Sequence, residues 1–108
     1  MKFAGDKFDS VLFDTRRQVT EAIVTPERIA VDWLEDGVKF HLVAHSQDCG
    51  LTYQGTYGMF RPEDDWKINI TRYAAVNGSV VLFCEWHEQD TGRAGFWLCK
   101  LEPSKTGV

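Results

Sequence analysis

Residues 66–101 read WKINITRYAAVNGSVVLFCEWHEQDTGRAGFWLCKL. Two turn signals, Asn77-Gly78 and Gln89-Asp90-Thr91-Gly92, divide this stretch into three runs rich in β-branched and aromatic residues. That is the pattern of antiparallel strands joined by tight connections. An Asn-Gly pair suits both centres of a type I′ turn, whose twist matches the strands it joins. A two-residue loop there pairs Val76 with Ser79 and sets Thr71 opposite Cys84, Ile70 opposite Glu85, Asn69 opposite Trp86 and Lys67 opposite Glu88. Gly92 suits the left-handed position of a type I turn with a bulge. Trp86 then faces Phe96, Cys84 faces Leu98 and Glu85 faces Trp97.

The middle run carries Glu85 and His87 among Val81, Phe83 and Trp86, so polar residues interrupt large apolar ones on both faces. The expected register separates them. Trp86, Phe96 and Leu98 form one apolar face, while Glu85 shares the other with Phe83 and Trp97. Arg72 faces Phe83 and lies diagonal to Glu85, within reach of an ion pair. An arginine and a glutamate beside Trp97 and Trp66 are the first candidate binding group, because Trp, Tyr and Arg dominate contact hot spots.

Moving upstream, Asp36-Gly37 is a second hairpin turn. Pairing Glu35 with Val38 matches Trp33 with Phe40, Val31 with Leu42 and Ile29 with Ala44, and it sets Asp32 opposite His41. A slip of one residue would exchange the faces and spoil that match. Thr25-Pro26-Glu27-Arg28 is a turn with Pro26 at its first central position. It separates a strand over Val19–Val24 from one over Ile29–Leu34; Thr15-x-x-Gln18 is the competing signature, a helical capping box. After a turn over Ser46–Gly50, residues 51–59 place Leu51, Tyr53, Gly55, Tyr57 and Met59 on one strand face. Phe8–Phe13 fits either an edge strand or one helical face, so residues 1–14 stay unassigned and 103–108 are read as a short tail.

Bulk composition narrows the functional classes. The 108 residues suit a single domain, 1–108, and 44% hydrophobic residues suffice for a core. A net charge of -4 with scattered basic residues argues against nucleic-acid binding. Three widely spaced cysteines, Cys49, Cys84 and Cys99, form no disulfide framework, and neither a leader-like run nor a membrane-length apolar stretch is present. The expectation is a reduced, cytoplasmic protein.

Motifs for chemistry are missing. His41 and His45 on one strand stand about 13 Å apart, too far to share a metal. Cys84 and Cys99 sit in apolar strands as small hydrophobes. No nucleophile elbow, zinc-protease helix or phosphate loop occurs. The expectation is therefore no enzyme, no metal and no cofactor.

Consecutive hairpins without helical crossovers predict an all-β antiparallel meander of seven or eight short strands. It should curl into a small up-and-down barrel or a strongly curved sheet, with a two-sheet sandwich as the alternative. The meander with Tyr53-x-Gly55-x-Tyr57 is similar in architecture to calycin-type barrels. Two functions fit this frame. The first is a binding module that engages a protein through an aromatic sheet face oriented by Arg72 and Glu85, in the manner of an inhibitor or immunity protein. The second, which the calycin likeness suggests, is a carrier of a small apolar or aromatic ligand that uses Tyr53, Tyr57, Trp33 and Trp97.

Overall fold

A computed structural model describes residues 2–9, 15–59, 66–75, 77–88 and 90–104. Eight strands follow one another: β1 (Lys2–Asp9), β2 (Thr15–Val24), β3 (Arg28–Glu35), β4 (Val38–His45), β5 (Thr52–Met59), β6 (Trp66–Ala74), β7 (Val80–Glu88) and β8 (Arg93–Pro103). Each pairs antiparallel with the next, and β1 pairs with β8 from Phe3↔Pro103 to Phe8↔Leu98, so the meander closes into a barrel. Closure leaves no open sheet edge, which settles the choice between barrel and sandwich. β1 is the strand that closes the barrel, and it ends at Asp9; the reading of residues 10–13 lies outside the described residues. Pro103 belongs to β8 rather than to a tail, and the Ser104 N–H donates to the Lys2 carbonyl at 3.0 Å.

Asp36 (φ 51°) and Gly37 (φ 80°) both adopt left-handed backbone, and the register between β3 and β4 is the one hydrophobic matching predicts. The two hairpins of residues 66–101 each differ from expectation by one residue. Ala75 N–H donates to the Ser79 carbonyl and Gly78 N–H to the Ala75 carbonyl, while Gly78 has φ 87°. The Asn77 side-chain oxygen accepts from Ser79 N–H instead. Asn77-Gly78 thus closes a three-residue loop with a glycine bulge, and Ile70 faces Cys84, Asn69 faces Glu85, Ile68 faces Trp86 and Lys67 faces His87. Between β7 and β8 the ladder ends at Glu88↔Arg93 with Gly92 N–H on the Glu88 carbonyl, so Cys84 faces Trp97 and Glu85 faces Phe96.

A one-residue slip moves a strand's side chains to the opposite face of its partner's set. Three predicted relationships fall with it. Arg72, opposite Leu82 and partly buried, points to the same side as the core, whereas Glu85 is exposed on the outer surface. Trp97 is buried with Cys84 and Cys99, not beside Glu85. Lys67 and Glu88 likewise do not face each other.

Alternation now runs apolar inward around the barrel, with Ala22, Val24, Ile29, Val31, Leu42, Ala44, Ile68, Ile70, Leu82, Cys84, Cys99 and Leu101 in one core. Gly55 marks where β4 crowds β5: a Cβ there would lie 1.9 Å from the Val43 carbonyl oxygen. No helix among the described residues is long and apolar enough to cross a membrane.

Candidate functional site

The two ends of the lumen differ in chemistry. At one end the turn after β4 folds across the barrel. There the Tyr53 hydroxyl donates to the Thr25 carbonyl at 2.6 Å and Arg72 Nε donates to the Gly50 carbonyl at 2.8 Å. Asp48 holds that turn by accepting from the Thr52 hydroxyl and N–H and from Leu51 N–H. Aliphatic side chains fill the space beneath.

The opposite end is where β1, β3 and β7 finish and β6 and β8 begin, at Asp9, Glu35, Glu88, Trp66 and Arg93. Aromatic side chains line this end without filling it. A hollow of about 770 Å³ is bounded by Lys7, Asp9, Trp33, Glu35, Phe40, Tyr57, Trp66, Phe83, Trp86, Glu88, Arg93, Ala94, Gly95, Phe96 and Trp97. Phe83 and Phe96 lie on the outer face, tilted against each other at 5.2 Å, so part of this volume spills over the rim between β7 and β8. An eight-stranded barrel has room for packed side chains or for one small ligand. Here one end is packed with side chains and the other is left hollow.

Trp97 is the hub of the lining. Its ring meets Tyr57 edge-on at 4.9 Å and contacts Trp33 at 5.5 Å and Trp86 at 6.4 Å. Phe40 stacks on Trp33 at 5.9 Å, and Trp66 lies against Tyr57 at 5.5 Å. Such pairs contribute about 0.5–1.5 kcal/mol each beyond burial, enough to hold the walls in place. The Trp66 indole N–H also donates to Asp90 at 3.0 Å, which ties the wall to the turn after β7.

Lys7 is the exception in this apolar wall. Its side chain is 1% exposed, and burying an ammonium costs several kcal/mol unless partners surround it. Asp9 and Glu35, the latter at 3.2 Å, accept from it, and the ammonium lies 4.1 Å from the Trp97 ring centre and 5.0 Å from that of Trp33. Arg17 then bridges Asp9 and Asp36, each at 3.4 Å. Around this cluster the Tyr57 phenol titrates well above its ordinary range, first because it is buried and then because Glu88 and Glu35 are near. The indole N–H of Trp33 is buried and meets no hydrogen-bond acceptor among the described residues, whereas that of Trp97 faces the Cys84 sulfur. An orphan of the Trp33 kind costs about 1–3 kcal/mol.

Of the residues expected to form a site, the structure brings together Trp33, Tyr57, Trp66 and Trp97. Tyr53 and Arg72 belong to the sealed end, and Glu85 lies outside the barrel. Sequence reasoning missed Lys7, Asp9, Glu35, Phe40, Trp86 and Glu88 as members. Lys7 and Asp9 were traceable only through period two from Phe3, once β1 was known to be a strand. Trp86 joins Trp97 only in the observed register.

Among the described residues no group of three or more His, Cys, Asp or Glu is placed to hold a metal ion. His45 and His87 are exposed, and Cys84 and Cys99 lie in the core. Burial, followed by the neighbouring Cys99, pushes the Cys84 thiol well up, away from the reactive thiolate. Comparison with protein-family models, curated proteins and solved structures finds no match.

Proposed function

We propose that this protein binds a small, largely apolar ligand in the aromatic end of its barrel. One observation carries the reading: a hollow of about 770 Å³, part of it over the rim between β7 and β8, that is walled by rings from six strands. Ligand sites are concave, mostly apolar, about 300–1,000 Å³ in volume and fitted with a few polar groups. The orphaned indole N–H of Trp33 supports it too, since an unsatisfied buried donor asks for a reason beyond packing. No catalytic role accompanies this reading, and the three unpaired cysteines fit residence in the reducing cytoplasm.

The test is a fluorescence titration with N-phenyl-1-naphthylamine, a neutral bicyclic probe. Saturable binding at one equivalent is expected. Trp66→Ser should weaken it about tenfold, and Tyr73→Ser, on the exposed outer surface, should leave it unchanged. Unsaturable binding, or binding indifferent to Trp66→Ser, overturns the reading.

A second reading, engagement of a protein partner by the outer face as an inhibitor would, draws on one specific feature. Phe96 is 48% exposed, lies tilted against Phe83 and faces Glu85 across the ladder. Glu85→Ala, outside the hollow, would weaken partner capture under this reading and spare the probe titration.

A further inference from the structure

We infer that the ligand of the aromatic hollow is a small organic cation, a methylated or aryl-substituted ammonium whose charge lies against Tyr57 and Trp66 with Glu88 and Glu35 nearby. The inference rests on the ligand-binding reading above and specifies its chemistry.

The molecule carries its own precedent. The lumen already holds one alkylammonium, that of Lys7, through two aromatic faces and two carboxylates. Ring quadrupoles attract a cation placed over their faces, more strongly when water is excluded, and quaternary ammonium groups are recognised in this way. Above Lys7 the same materials recur: the rings of Tyr57, Trp66 and Trp86, and the carboxylate of Glu88.

The lining holds three carboxylates (Asp9, Glu35, Glu88) and two cations (Lys7, Arg93). Lys7, Asp9 and Glu35 satisfy one another, with Arg17 also on Asp9, so the carboxylate left to meet a ligand is Glu88, which accepts from the Thr91 hydroxyl at 3.1 Å and lies across the ladder from Arg93. At the Tyr57 phenol, which burial raises first, Glu88 and Glu35 add to the rise and Arg93 opposes it. A net charge of -4 on the whole chain favours the approach of a cation.

The experiment compares benzyltrimethylammonium with neopentylbenzene, its neutral carbon isostere, each displacing N-phenyl-1-naphthylamine from the full chain. The cation is expected to displace the probe at about tenfold lower concentration, and Glu88→Gln should remove most of that advantage while the neutral probe still binds. Glu35→Gln is run beside it, and circular dichroism checks that each variant stays folded. Equal displacement by the two compounds overturns the inference and leaves the ligand-binding reading standing, as does probe binding that neither compound displaces. A cation advantage untouched by either glutamine variant also overturns it, because the carboxylates would then have no part. Failure of N-phenyl-1-naphthylamine itself to bind removes both.

Discussion

Gly95 lies directly across the β7–β8 ladder from Trp86, and a Cβ at Gly95 would come within 2.7 Å of the indole ring. The glycine is what allows that ring to lie over the backbone of β8, where it forms one wall of the hollow. Gly95→Ala should push Trp86 off its seat at a cost of about 1–3 kcal/mol, the usual range for overpacking. Denaturant unfolding measures the loss. The near-ultraviolet circular dichroism of the tryptophan cluster should change with it, since Trp86 stacks on Trp97 at 6.4 Å. An unaltered spectrum would show that the ring tolerates the methyl group and that the close seat is not required.

Lys7 makes a sharper prediction. Removing one member of a buried charge cluster leaves the others unpaired, which costs more than the cluster itself contributes. Lys7→Met should destabilise the barrel by about 2–4 kcal/mol, toward the lower part of that range because Asp9 and Glu35 keep 21% and 27% exposure. Adding Glu35→Gln to Lys7→Met should recover part of the loss. A double-mutant cycle checks this; simple additivity of the two changes would mean that Lys7 acts through packing alone.

The fold was legible where two signals agreed. Asp36-Gly37 and the apolar match of Trp33 with Phe40 and Val31 with Leu42 both require the same register, and that register forms. At Asn77-Gly78 they disagreed. Turn chemistry favoured two residues in the loop, whereas hydrophobic matching pairs Ile70 with Cys84 and Ile68 with Trp86, which is what the barrel adopts. Burial decides because moving a whole strand face out of the core forfeits several side chains at about 1.5–3 kcal/mol each, more than a turn type is worth. The candidate site suffered from that slip. Trp33 and Tyr57 stood on strands whose faces were read correctly, while Trp86 and Trp97 were assigned to opposite faces and Arg72 was joined to a glutamate it cannot reach. Lys7 was hidden for another reason: a lone lysine in a strand reads as solvated unless the barrel's closure by β1 is already known.

Tyr57 links the hollow to pH. Its phenol is raised above the ordinary 10.0 by burial first, then by Glu88 and Glu35. A group whose folded value is raised contributes stability that is fully present below the unfolded value and lost as pH rises toward the folded one. Unfolding free energy should therefore decline above pH 10, and Tyr57→Phe should show a shallower decline. Tyr53, raised by burial against the opposing effect of Arg72, adds a smaller part of the same kind. Guanidinium unfolding from pH 8 to 12 provides the measurement, and identical slopes for wild type and Tyr57→Phe would contradict the assignment.

At the sealed end, Arg72 and Asp48 act on one turn, and neither should affect binding at the mouth. Arg72→Ala removes a charged donor from the Gly50 carbonyl and should cost about 2 kcal/mol of stability with no change in N-phenyl-1-naphthylamine affinity. Gly50 has φ 93° and a Cβ there would sit 2.9 Å from the Tyr53 hydroxyl, so Gly50→Ala should be at least as harmful. Asp48 is lowered from 3.8 to about 2, chiefly by the Thr52 hydroxyl and N–H that donate to it. Its contribution is therefore present above pH 3.8 and lost as pH falls through about 2. Asp48→Asn should be less stable than wild type at pH 6, and the two should converge as the pH approaches 2. A gap that persists undiminished to that pH would mean that the turn is held by the shape of the side chain and not by its charge.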